Sequence, residues 1–109
     1  MAADTQMMKG ILEGCILSII SGEESYGYRV VEELKSYGFG DVAEATVYPI
    51  LNRLEKKGDL SFVKKPSMLG PPRKYFSLTE QGEMALSEFK DIWNKTSGIV
   101  EKVLKEVAK

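Results

Sequence analysis

The chain has 109 residues, 43% of them apolar and 28% charged, with a net charge of -1 and no histidine. That is enough for one small domain, and it excludes histidine acid–base chemistry, Cys/His metal sites and, since Cys15 is the sole cysteine, any internal disulfide. No apolar run approaches the roughly 20 residues of a membrane span, and the opening MAADTQMMKG lacks the basic region of a cleavable signal, so a soluble cytoplasmic protein without cofactor is expected.

Met8, Ile11, Leu12, Cys15, Ile16 and Ile19 recur at helical spacing and predict a first helix that ends at SGEES. Cys15 on that face reads as a small buried hydrophobe rather than a redox sensor. Ser25 is the expected N-cap of a second helix burying Val30, Val31 and Leu34, with Gly27 allowing close approach to the first helix; Gly38 and Gly40 then break the chain. ATVYPILNRLEKKG, residues 45–58, predicts a third helix closed by lysines and a glycine cap. Its Pro49 is harmless if the helix starts at Thr46 and removes one hydrogen bond if it starts nearer Ala43.

The period then drops from 3.6 to 2. Leu60 and Phe62 share one side of a strand and Phe76 and Leu78 one side of another, joined by PSMLGPP read as a stiff seven-residue loop. Thr79 caps a last helix whose positions Leu86, Phe89, Trp93, Thr96, Val100, Val103 and Val107 step by 3 and 4 to the end of the chain, widened by Ile92, Ile99 and Leu104.

Three helices, a hairpin and a helix give a mainly α fold with a small β-hairpin, the order of a winged helix-turn-helix followed by a long C-terminal helix. Residues 44–75 hold seven cations (Arg53, Lys56, Lys57, Lys64, Lys65, Arg73, Lys74) against three acids, while the rest of the chain is net acidic. Positive charge therefore gathers on the third helix and the wing, where phosphates of double-stranded DNA would be met. Val47, Ile50, Leu51 and Leu54 form the core side of the third helix; opposite them lie Ala45, Pro49, Asn52 and Lys56, flanked by Thr46, Tyr48 and Arg53. Asn52 and Arg53 are the base-reading types, and Thr46, Tyr48, Lys56, Lys64, Lys65, Arg73 and Lys74 the phosphate-contacting ones. Tyr48 reads equally well as packing against the hairpin.

The stretch ATVYPILNRLEKKGDL, followed by GPPRKYFSLTEQG, resembles the signature of the PadR family of transcriptional regulators. The family's helix pattern T-[LV]-Y-P-x-L-x-R-L-E-x-x-G is met at Thr46, Val47, Tyr48, Pro49, Leu51, Arg53, Leu54, Glu55 and Gly58. Its wing pattern is met at Arg73, Lys74, Leu78, Thr79 and Gly82, with Phe76 where tyrosine is usual and Ala43 where a capping Asn or Ser is common. SYGYRVVEEL is similar to the family's second helix. The resemblance implies a dimeric repressor of the smaller subfamily with a single C-terminal dimerisation helix, and in some members a flat aromatic effector held beside a tryptophan. It thereby makes Trp93, with Phe89 and Ile92, a candidate ligand site for a small aromatic or drug-like compound, although Trp93 is first a residue of the dimer stripe.

The last helix carries more apolar surface than one small domain covers, so a homodimer is expected through Leu86, Phe89, Trp93, Thr96, Val100, Val103 and Val107, joined by Met8, Ile11 and Ile16. The expected division is a DNA-binding domain at 1–79 and a dimerisation helix at 80–109, with a pseudo-palindromic operator. An enzyme is excluded by the missing catalytic inventory; a winged-helix module that binds protein and never touches DNA is the rival, with no use for the concentrated cations.

Overall fold

In the computed structural model, which describes residues 5–107, the order is α1 (Gln6–Gly22), α2 (Gly27–Tyr37), α3 (Glu44–Lys56), β1 (Leu60–Ser67), β2 (Gly70–Leu78) and α4 (Glu80–Val107). The fold is thus mainly helical with one antiparallel hairpin, as expected. No helix among the described residues is long and apolar enough to cross a membrane. The molecule measures 57 × 29 × 20 Å, long because α4 runs 28 residues, about 42 Å at 1.5 Å per residue.

The core gathers one face from each element: Leu12, Ile16, Leu17 and Ile20 from α1, Val30, Val31 and Leu34 from α2, Val47, Ile50, Leu51 and Leu54 from α3, Leu60 and Phe76 from the wing, and Leu86 from α4. Two residues expected at a dimer interface lie inside this core. Ile16 is 0% exposed and Leu86 6% exposed, so neither is available to a second chain. The face of α1 turned to the core is about one residue away from the predicted stripe; Met8, Ile11, Cys15 and Ile19 are left half-buried.

Thr5 caps α1 by accepting from the Met8 N–H at 3.3 Å. Ser25 does not cap α2, which begins after Tyr26 without a side-chain cap. Instead Ser25 exchanges both backbone hydrogen bonds with Phe76, at 3.1 and 2.7 Å, adding a one-residue third strand to the hairpin. That pairing holds its backbone extended, and its buried hydroxyl has no hydrogen-bond partner among the described residues. Gly27 faces α3 rather than α1: a methyl there would fall within the Tyr48 ring.

The wing is longer than predicted. Leu60 pairs with Leu78 and Phe62 with Phe76, as the alternation requires, but pairing continues through Pro66 and Pro72 to a turn of only Met68 and Leu69. The prolines fit because a bulge between Lys65 and Ser67 interrupts the ladder where their missing N–H would be needed.

A tight joint links the end of α3 to the start of α4. Gly58 closes α3 at φ +94°, in the left-handed region. The Thr79 hydroxyl donates to the Gly58 carbonyl at 2.6 Å and accepts from the Gly82 N–H at 3.0 Å, capping α4 as predicted. Gln81 donates to the Lys57 carbonyl at 2.6 Å and to the buried Asp59 carboxylate at 2.7 Å. Gly82 lies so close to the Asp59 carbonyl that a side chain has no space.

Candidate nucleic-acid interface

α3 turns Tyr48, Pro49, Asn52, Arg53 and Lys56 outward, with Thr46 half-buried at its edge. Because the helix begins at Glu44, Pro49 lies in its second turn. It removes the N–H that would meet the Ala45 carbonyl, on a face where Ala45 and Pro49 are exposed and that oxygen is open to solvent. The outward face at the start of α3 is therefore stiffened at little cost in buried polar groups.

Tyr48 packs its ring over Gly27 at the start of α2, not on the hairpin, and remains 39% exposed. Partial burial raises its hydroxyl pKa above the usual 10; the Glu44 carboxylate raises it further by charge and hydrogen bonding, and Arg73 across the cleft opposes them. Tyr48 thus stays a neutral donor at physiological pH.

Arg53 is engaged elsewhere. Its guanidinium pairs with Glu13 of α1, which also holds Lys57 at 3.3 Å. The pair clamps α3 to α1 and turns the expected base-reading arginine into a residue that must leave a carboxylate to reach a base. Lys65 is held similarly by Glu24. Lys56, Lys64, Arg73 and Lys74 form no ion pair among the described residues.

On the wing, Lys64 lies directly opposite Lys74 and Lys65 opposite Arg73. Like charges on facing positions of a hairpin repel and lower its stability. Aromatic faces steady three of the four: Lys74 over Phe62 at 4.3 Å, Lys65 over Tyr75 at 4.7 Å and Arg73 over Tyr26 at 4.5 Å from the ring centroids. These contacts orient the cations, and Lys74 and Arg73 keep their charge unpaired among the described residues while Lys65 is shared with Glu24, which suits a surface that receives an anion.

Between α3 and the wing runs an open cleft of about 460 Å³ lined on one side by Tyr48 and Asn52, on the other by Leu69, Arg73 and Lys74, and at its base by Tyr26 and Tyr28 of the α2 start. The two α2 tyrosines were not singled out from the sequence for this surface, although their spacing around Gly27 puts one on either side of the glycine that Tyr48 covers. Lys9 was also missed: it borders a second groove with Thr46, Pro49 and Arg53, and only the α1–α3 crossing brings it there.

At the other end of the molecule Phe89 lies over Gly14 of α1 and stacks on Trp93, with centroids 6.4 Å apart and planes 10° apart. Phe89 is therefore partly spent within its own chain, whereas Trp93 is 48% and Ile92 57% exposed. Beyond them Thr96, Val100, Val103 and Val107 all face solvent in the single chain.

A model of the PadR-like transcriptional regulator family matches residues 16–88, from the second half of α1 to the first turns of α4. The chain belongs to the PadR-like family of transcriptional regulators. PadR-like proteins are regulators, not enzymes. The fold is similar to a Streptococcus transcriptional regulator, 43% identical, with 92% of this chain and 98% of that one covered at a TM-score of 0.82. A PadR-like transcriptional regulator from Bacillus cereus is 46% identical over 92% of this chain and 97% of its own, at a TM-score of 0.79. Bacillus subtilis PadR, solved in complex with operator DNA, shares the fold at 23% identity and a TM-score of 0.66, over 72% of this chain and 46% of its own.

Proposed function

We propose that this PadR-like regulator is a sequence-specific DNA-binding repressor that acts as a homodimer, with residues 1–79 binding DNA and α4 joining two copies. The observation that carries the reading is the two pairs of facing cations on the wing, Lys64 opposite Lys74 and Lys65 opposite Arg73, of which only Lys65 is held by a carboxylate, beside the exposed face of α3. Such an arrangement lowers hairpin stability and is useful only where phosphates separate the charges. The operator-bound structure of the fold relative Bacillus subtilis PadR supports the same use of the fold.

Asn52, standing in the cleft, is the base-reading residue; Tyr48, Thr46 and Lys56 contact phosphates, with Lys64, Lys65, Arg73 and Lys74 supplying most of the affinity. Pro49 shapes the approach of α3. Arg53 joins the contact only after releasing Glu13. Val100, Val103, Val107, Trp93 and Thr96, with Met8 and Ile11, form the face that meets the second copy, and two-fold symmetry makes the operator a pseudo-palindrome. A small aromatic compound that stacks on Trp93 and Phe89 beside Ile92 releases the operator by favouring one crossing angle of the paired α4 helices over another.

The test of DNA binding is a mobility-shift titration on the region upstream of the gene. Specific retardation at low salt, weakened about tenfold or more by Asn52→Ala and more evenly across sequences by Lys64→Ala, is expected. Retardation that is the same for every duplex would overturn specific recognition. The effector reading is tested by Trp93 fluorescence: quenching by planar aromatic compounds is expected, and no response across a broad panel would remove it.

A further inference from the structure

The wing ends in two large apolar side chains that nothing among the described residues covers: Met68 is 99% and Leu69 98% exposed. Two-residue hairpin turns ordinarily use Gly, Asn or Asp, whose backbones suit the turn and whose side chains suit water. Here the turn is mounted stiffly. Pro66 lies before it and Pro71 and Pro72 after it, and the bulge between Lys65 and Ser67 adds local twist.

Directly behind the tip, Lys65 with Arg73 and Lys64 with Lys74 form a cationic collar, in which only Lys65 is held by a carboxylate, that of Glu24. A second copy meeting it wing to wing would bring the same collar and be repelled. The matching surface is walled by negative charge and takes apolar side chains between its stacked base pairs, as the DNA minor groove does. That groove is about 6 Å wide, too narrow for the body of a hairpin but open to single side chains. Leu69 also borders the cleft that holds Asn52 of α3, so the tip and the exposed face of α3 address one stretch of duplex.

We propose that Met68 and Leu69 form an apolar wedge that enters the minor groove beside the α3 site and partly unstacks a base step. The wing then selects flexible pyrimidine–purine steps through the work of deforming them, without hydrogen bonds to bases. This rests on the DNA-binding reading above and adds a specificity element to it.

The test uses the full chain and its Met68→Ser/Leu69→Ser variant, whose changes lie wholly in solvent; circular dichroism checks that the variant melts like the parent. The probes are duplexes selected by the parent protein from a random-sequence pool, and the unselected pool, labelled at both ends for energy transfer. The wedge predicts that selected duplexes carry a TA or CA step beside the half-site and shorten end to end when bound. The double serine variant should hold the unselected pool within about twofold, lose about ten- to thirtyfold on selected duplexes, and no longer bend them; Met68→Leu/Leu69→Met should restore both. Equal affinity and bending by the serine variant, or equal losses on both pools, would overturn the wedge. A changed sedimentation coefficient of the free variant would assign the tip to contacts between copies and overturn it too. If the parent binds no duplex in either pool, the DNA-binding reading itself falls, and the wedge with it.

Discussion

The start of α4 and its far end are cut from one apolar stripe yet meet opposite surroundings. At the start Gly82 and Leu86 are buried, and Phe89 lies over Gly14. At the far end Ile99, Val100, Val103, Leu104 and Val107 are 47–78% exposed. An apolar stripe on a helix states that a partner exists but not whether the partner is the same chain. The first turns of α4 belong to the domain's own core, and the remainder carries an apolar face that nothing among the described residues covers.

The largest expected effect breaks the covered end. Gly82→Ala drives a methyl into the Asp59 carbonyl, and since backbone on both sides is fixed by the Thr79 and Gln81 hydrogen bonds, stability should fall by about 3 kcal/mol or more. Thermal denaturation followed by circular dichroism measures it. Leu86→Ala should cost about 2–4 kcal/mol by opening a cavity in the core. The matching change at the far end, Val103→Ala, should leave the melting of a single chain nearly unaltered. A comparable loss in a monomeric sample would break the comparison.

Charging the far end separates assembly from folding. Val100→Asp with Val103→Asp should leave the hairpin and core intact while sedimentation shifts to the mass of one chain. Removing Gln81 probes the joint between the two regions: Gln81→Ala strips the buried Asp59 carboxylate of its neutral donor, for a loss of about 1–2 kcal/mol.

Pro49→Ala should raise stability by about 1 kcal/mol, because the restored N–H meets the Ala45 carbonyl. The same change should weaken DNA binding if the stiffened face matters.

The smallest effect is a titration. Tyr48 has its pKa raised by burial and then by Glu44, so the folded state holds its proton above pH 10 while the unfolded chain releases it. The contribution is complete below the unfolded value and is lost as pH rises through the folded one. The alkaline loss of stability should be shallower in Tyr48→Phe, as read from denaturant midpoints between pH 9 and 11.

The element order, the core faces of α2 and α3, the sides of the two strands that carry Leu60 with Phe62 and Phe76 with Leu78, and the Thr79 cap were all legible in the sequence, because each rests on a period or a local hydrogen bond. What failed depended on elements far apart in the chain. Ser25 has the chemistry of a cap but lies where Phe76 offers a whole ladder rung, and backbone pairing outweighs one side-chain bond. Ile16 and Met8 share a stripe in α1, but the crossing with α4 decides which of them is inside. At the DNA-facing surface the residue types were legible while their engagements were not: Arg53 and Lys65 are held by Glu13 and Glu24, 40 and 41 residues away. The prolines of the wing misled for a different reason. They signal a loop unless a bulge removes the need for their N–H groups, and a bulge has no local signature.

The most direct measurement of the account is the salt dependence of DNA binding, followed by fluorescence anisotropy on the upstream region with the native chain and with Val100→Asp/Val103→Asp. Four cations per chain with no ion pair among the described residues, Lys56, Lys64, Arg73 and Lys74, in a two-chain complex predict a slope of log K against log salt of about -7 for the native protein and about -3.5 for the charged variant. Equal slopes for the two proteins would contradict the pairing of chains through α4, and no specific binding by the native chain at low salt would contradict the use of α3 and the wing on DNA.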